Sequence, residues 1–292
     1  MIDCFALSKS MRNGLYLILY IAALTACQHE IDFDYHTVEP LLMIEGRLTN
    51  EGTEVVITKT RDVTDSVRSL GLPGAQVVVT GEGIEENLLF NAETQSYCSS
   101  FAGVPGQTYT LSILYEGQRY EGTSTMPAPA PVQSVEFLWQ PVLSERLLAY
   151  EMWAIDPEPD ERNYYWYRMD RRSHHPHLEG KRMTEAYRWN VFDDRGCPPG
   201  LVYRDIICMS ERDAEEDDED NWKSILYEGD TITLTLMTID QPTFDFFRTL
   251  RSGQSGGANP RGNIVGPDCL GYFAAGSVVH ADTVVFSYDK IR

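Results

Sequence analysis

The chain reads as mainly all-β. The expected order is an N-terminal immunoglobulin-like or transthyretin-like β-sandwich, then a second β-sandwich-like domain with a short helix. Three observations predict this. Short β-branched and aromatic runs recur between residues 41 and 126, each bounded by turn residues. Alternating prolines at Pro127, Pro129 and Pro131 end that series. Beyond them, one segment alone carries a helical rather than an alternating pattern.

In the first domain, 41–126, Leu42-Met43-Ile44-Glu45-Gly46 opens the strands. Glu54 to Lys59 follows a Thr49-Asn50-Glu51-Gly52 turn, and Gln76 to Thr80 lies between Pro73-Gly74 and Gly81-Glu82-Gly83. Leu88 to Phe90, Ser96 to Cys98, Thr108 to Ile113 and Gln118 to Thr123 complete the set. Tyr109, Leu111 and Ile113 alternate with Thr108, Thr110 and Ser112, as a strand with one buried face requires. Tyr115-Glu116-Gly117-Gln118 is a hairpin signal. Residues 127–131 form a spacer, because proline fixes φ and cannot donate to a ladder. In the second domain, 132–292, the expected strands are Val135–Trp139, Leu147–Trp153, Tyr164–Met169, Thr231–Leu236 and Thr283–Ser287. Gln241 to Ser252 reads as the helix, with Pro242 near its start, Phe244, Phe247 and Leu250 on one stripe, and Gly253 beyond its end.

Ahead of the domains, Arg12 precedes an apolar core from Leu15 to Leu24, closed by Leu24-Thr25-Ala26-Cys27. That run is too short to cross a bilayer and fits a cleaved export signal over 1–26. Met11 is the expected true start, because Met1 to Ser10 has no export character. The motif resembles the lipobox of bacterial lipoproteins, which makes Cys27 the lipidated N-terminus and 27–40 a lipidated tether. Gln28, His29, Glu30 and Asp32 resemble the acidic surface-export signals of Bacteroidetes lipoproteins. The formal net charge of −20 repels nucleic-acid phosphates and anionic headgroups, so nucleic acid is excluded as a partner and membrane attachment falls to the lipid.

Further landmarks recur along the chain: Leu72-Pro73-Gly74-Ala75-Gln76-Val77, Pro105-Gly106-Gln107-Thr108-Tyr109-Thr110-Leu111, Met126-Pro127, Asn259-Pro260-Arg261-Gly262-Asn263-Ile264 and Leu270-Gly271-Tyr272-Phe273. With the lipobox and the opening strand, they resemble the Bacteroidetes outer-membrane lipoproteins of domain-of-unknown-function family 4249. The resemblance implies a two-part β-rich outer-membrane lipoprotein, commonly encoded beside a TonB-dependent transporter. It brings no catalytic residues. The stretch from Ser173 to Asp220 fits the pattern least.

Candidate sites are few. Cys98, Cys197, Cys208 and Cys269 remain for pairing in an oxidising compartment, with three possible connectivities. Cys197 and Cys208 flank a short Pro198-Pro199-Gly200 loop and are the candidate disulfide. All five tryptophans follow the spacer, and Trp189 and Trp222 are the expected surface members, able to stack on a sugar or anchor a partner. His174, His175 and His177 read as a solvated loop, since a structural zinc site needs four converging ligands. Glu211 to Asp220 holds eight carboxylates in ten residues. It could supply weak calcium ligands but lacks the EF-hand arrangement, so no cofactor is expected. Asp156, Glu158, Asp160 and Glu161 could mimic a glycosidase pair, yet they sit among prolines on a loop. No HExxH or P-loop motif is present. The expected function is a non-enzymatic outer-membrane lipoprotein, lipid-anchored at the cell surface, that serves a TonB-dependent barrel as an accessory binding component. The alternative is an independent surface glycan- or peptide-binding lipoprotein.

Overall fold

The computed structural model describes residues 39–61, 69–81, 83–173, 184–195, 197, 200–211, 225–253 and 260–292. The expected signal segment and Cys27 lie outside them, as does the tether up to residue 38. The first half contributes β1 (Leu42–Thr49), β2 (Gly52–Lys59), β3 (Gln76–Gly81), β4 (Ile84–Asn91), β5 (Ser96–Ser99), β6 (Thr108–Tyr115) and β7 (Gln118–Thr125). Burial alternates along β1, β2 and β6, so the period-2 pattern of the sequence is the pattern of the fold. Ile44, Leu48, Val55, Ile57, Val77, Val79, Leu111 and Ile113 form its core, with Tyr97, Tyr109 and Tyr120.

The second half contributes β8 (Val132–Val142), β9 (Glu145–Ala154), β10 (Tyr164–Arg172), β11 (Thr184–Asp193), β12 (Val202–Ser210), β13 (Thr231–Ile239), helix α1 (Gln241–Gly253), β14 (Ile264–Val265), β15 (Cys269–His280) and β16 (Val284–Val285). Strand content in sheets with one short helix makes the fold all-β, as expected.

Strand β15 decides the architecture. It runs parallel to β1 from Leu42↔Cys269 to Thr49↔Gly276, then antiparallel to β13 from Ser277 to His280. One hydrogen-bonded path therefore runs β11-β10-β13-β15-β1-β2-β5-β4-β3-β6-β7-β14, with β16 attached to β13. Strands β12-β9-β8 form a second sheet. Phe273 and Ala275 of β15 fill the first core, while Tyr272 and Ala274 face α1. Gly46 leaves the space Phe273 needs: a Cβ there would meet Leu111 at 2.9 Å and Phe273 at 3.0 Å. Asn263 locks this insertion by receiving the Phe273 amide (2.8 Å) and donating to the Phe273 (2.7 Å) and Thr123 (3.1 Å) carbonyls.

The proline segment 127–131 is thus a joint within one compact unit spanning residues 40–292. Met126 closes the first core and Ala130 the second. Ser277 Oγ donates to the Pro127 carbonyl at 2.5 Å. The boundary drawn from sequence marks the joint, but the C-terminal segment returns across it to complete the first sandwich.

The second core lies between the two sheets and is aromatic: Phe137, Tyr150, Tyr165, Tyr167, Phe192 and Phe286 join Met152, Met169, Ile232 and Leu234. Helix α1 covers the other face of β10, β13 and β15, placing Phe244, Phe246 and Phe247 on Tyr164, Trp166 and Tyr272. Asp240 caps the helix, receiving the Thr243 amide (3.1 Å). Ser124 Oγ donates to the same carboxylate (2.7 Å) and receives the Ala275 amide (2.8 Å), which ties β7 and β15 to the helix start.

Candidate functional site

Where β15 leaves β1 for β13, the first sandwich and the second half splay apart and leave a cleft of about 430 Å³. One wall is β1 and β2, with Arg47, Thr49, Glu51, Thr53 and Glu54; the other is β10 and β13. Pairing register sets its floor in two rows. Trp166, Met237 and Val278 align across β10, β13 and β15 as an apolar row. One step along, Arg168, Thr235 and His280 align as a polar row.

The β1–β2 turn pins the closed end. Asn50 donates to the Val278 carbonyl (3.0 Å) and receives its amide (2.6 Å), standing in for a strand residue. His280 Nε2 lies 2.8 Å from Glu51 Oε1, and its Nδ1 lies 3.0 Å from Thr235 Oγ1. Arg47 donates to Glu54 at 2.5 Å, and its guanidinium sits 5.9 Å from the centre of the Trp166 ring. Arg168 pairs with Asp170 at 2.8 Å. Arg47, Arg168 and His280 on the rim each have a carboxylate within reach. Beside this wall, burial pushes the Glu45 carboxyl up; Arg47 opposes that shift and Glu54 adds to it. The Trp166 indole N–H is buried with no hydrogen-bond partner among the described residues. Such an arrangement can take a ligand with an apolar edge and several hydrogen-bonding groups.

The residues singled out from sequence lie elsewhere. Trp189 is on the edge strand β11, 41% exposed, its ring 5.7 Å from that of Phe247. Trp222, the three loop histidines, and 212–220 of the acidic run lie outside the described residues. Cys197 carries a free thiol, and the Cys208 side chain, its expected partner, lies outside the described residues. β11 is held by β10 and β12 by β9, in different sheets, and the Cys197 side chain packs against the second core. Burial pushes that thiol up, with Asp194, Asp193 and Asp156 adding to the shift. Cys98 and Cys269 are free thiols as well.

Asn163 organises the Asp156–Glu161 loop. Its amide donates to Asp156 Oδ1 (3.0 Å) and the Glu158 carbonyl (2.9 Å), while Asp194 Oδ2 receives its main-chain N–H (2.9 Å). Glu158, Asp160 and Glu161 are exposed. Among the described residues, no group of three or more His, Cys, Asp or Glu is arranged to hold a metal ion. Sequence reasoning passed over Arg47, Trp166, Arg168 and His280. The available signal was alternation: Trp166, Arg168 and Asp170 share one face of a strand whose other face is Tyr165, Tyr167 and Met169.

No curated protein matches the chain. One similar solved structure is the selenomethionine-substituted chicken interferon gamma receptor alpha chain, at 10% identity and a TM-score of 0.17. That match covers 69% of this chain and 90% of the receptor chain, and its score is too low to carry an argument. A family model described as "Domain of unknown function (DUF4249)" matches residues 28–281. With nearly the whole of the described fold inside that span, the chain belongs to this family.

Proposed function

We propose that the protein is a non-enzymatic, lipid-anchored outer-membrane lipoprotein that holds a binding cleft near the membrane as an accessory of a TonB-dependent barrel. The observation that carries the binding role is the cleft at the β1–β15–β13 junction, where an apolar row lies beside a row of hydrogen-bonding groups. Binding sites gather where rigid elements diverge and leave a concave surface. The anchor rests on the lipobox at Cys27, and the barrel rests on the family resemblance. Cys27→Ala is expected to release the protein from membranes or stop its processing. A native-membrane pull-down of the unaltered chain is expected to bring down a TonB-dependent barrel. Retention of the processed Cys27→Ala protein on membranes rejects the anchor, and a pull-down without a barrel rejects the accessory role.

The second reading, an independent surface glycan or peptide binder, is favoured by the paired rim charges. Neutral or zwitterionic ligands lose less than simple ions on meeting pre-formed ion pairs. Calorimetric titration with saccharides and short peptides separates the two. Binding abolished by Arg168→Ala, in preparations free of any barrel, supports the independent binder.

A further inference from the structure

Strand β8 is an outer strand of the β12-β9-β8 sheet, and its free edge is partly occupied by the chain itself. The Arg292 amide donates to the Phe137 carbonyl (3.1 Å), and the Trp139 amide donates to the Arg292 carbonyl (2.9 Å). Those two bonds are one rung of a parallel ladder. They also show that the odd-numbered residues of β8 turn their main-chain groups outward. Among the described residues, the outward amides of Val135 and Phe137 make no hydrogen bond. Pro141, at the next outward position after Trp139, has no N–H to offer, so the edge stops there. Beside the open part lies a gap of about 160 Å³ between β8 and β16, lined by Val135, Phe137, Val284 and Val285.

The Arg292 side chain shows what this edge accepts. Its guanidinium reaches Glu151 at 2.5 Å and Glu136 at 3.0 Å. Glu151 is almost fully buried on the sheet face and is also held by Arg204 and by the Trp153 indole N–H. A carboxylate so placed requires cationic neighbours.

We propose that the β8 edge is a strand-acceptor site for an extended partner segment with an apolar residue followed by a basic one, and that Ile291–Arg292 is its resident occupant. The incoming segment adds a parallel strand, bonds to Val135, Phe137 and Trp139, and sets its basic side chain between Glu136 and Glu151. Main-chain bonding supplies the affinity and the two carboxylates supply the selection, as in other strand-addition sites. The inference does not depend on the partner being a barrel.

The probe is a dye-labelled peptide with the sequence of residues 286–292, followed by fluorescence anisotropy. A chain lacking Ile291 and Arg292 is expected to bind it at least about 10-fold more tightly than the intact chain, and a peptide with Glu for its last Arg is expected to lose about as much. Val135→Pro in the shortened chain removes an outward N–H and is expected to weaken binding. Equal binding by the intact and shortened chains, or indifference to the Arg→Glu change, overturns the proposal. Should the shortened chain fail to fold, hydrogen exchange on the intact chain decides. Excess peptide is expected to slow the Val135 and Phe137 amides and leave Glu136 and Leu138 unchanged. Unslowed exchange at Val135 and Phe137 overturns it.

Discussion

The two cores of this protein are built by different chemistry. The first is aliphatic, from Ile44, Leu48, Val55, Ile57, Val77, Val79 and Leu111, and its buried Tyr97 and Tyr109 are bonded. Tyr97 is an example: its hydroxyl donates to the Leu72 carbonyl and receives the Ala75 amide, both at 2.8 Å. The second is crowded with rings, and a hydroxyl is left over. Tyr165 buries its own without a partner among the described residues, although Tyr167 donates to Asp205 at 2.6 Å. Close-packed aliphatics gain nearly all their stabilisation from burial, whereas a buried unpaired hydroxyl subtracts from it. The first core therefore behaves as the optimised one, and the second carries unspent stability.

The largest effect should come from cutting into the aliphatic core. Leu111→Ala, at a fully buried position, is expected to cost about 2–5 kcal/mol in denaturant unfolding. A cost below 1 kcal/mol would mean that this core is loosely packed and the contrast is false.

Removing one tyrosine hydroxyl from each core sharpens the comparison. Tyr97→Phe breaks two bonds and is expected to cost about 1–2 kcal/mol. Tyr165→Phe removes an orphan and is expected to be neutral or stabilising by up to about 1 kcal/mol. Equal losses in the two variants would contradict the account.

Two carboxylates titrate in opposite directions. Bonds from Arg204, opposed by burial and aided by Arg292 and Trp153, hold the Glu151 carboxyl below its ordinary range. Its contribution is present above the ordinary carboxylate pKa and is lost as pH falls through the lowered value. Burial instead pushes Asp240 up against its bonds to Thr243 and Ser124. Its contribution is complete below the ordinary aspartate pKa and is lost as pH rises through the raised value. Glu151→Gln should therefore flatten the acid limb of a melting-temperature profile, and Asp240→Asn the limb just above it. Profiles that both overlay the parent would reject these assignments.

Much of the first sandwich was legible because its strands bury one face, so the alternation of Tyr109, Leu111 and Ile113 with Thr110 and Ser112 survives in the sequence. Helix α1 was legible from Pro242, its Phe244–Phe247–Leu250 stripe and Gly253. β15 was not recognised as a strand. Buried on both faces from Gly271 to Ser277, it shows no alternation, and its small residues suggest a loop. β11 and β12 were missed because Arg188, Asn190, Arg204 and Asp205 interrupt their apolar residues. The cleft was illegible for a related reason. It exists only because β15 changes partners, and neither Arg47 nor His280 reveals locally that the two lie on the same cleft.

The smallest effect is expected in that cleft. Arg168→Ala removes an exposed ion pair with Asp170 and should change stability by less than about 0.5 kcal/mol. A larger loss would make the polar row part of the scaffold rather than a surface free to bind.

The central structural claim is that β15 joins the two differently built cores into one cooperative unit. Scanning calorimetry of the parent and of Phe273→Ala tests it most directly, because Phe273 is fully buried in the first core on a strand shared with the second half. The account predicts a single transition with matching calorimetric and van't Hoff enthalpies, moved down as a whole by the substitution. Two transitions in the parent, of which Phe273→Ala moves only one, would contradict it.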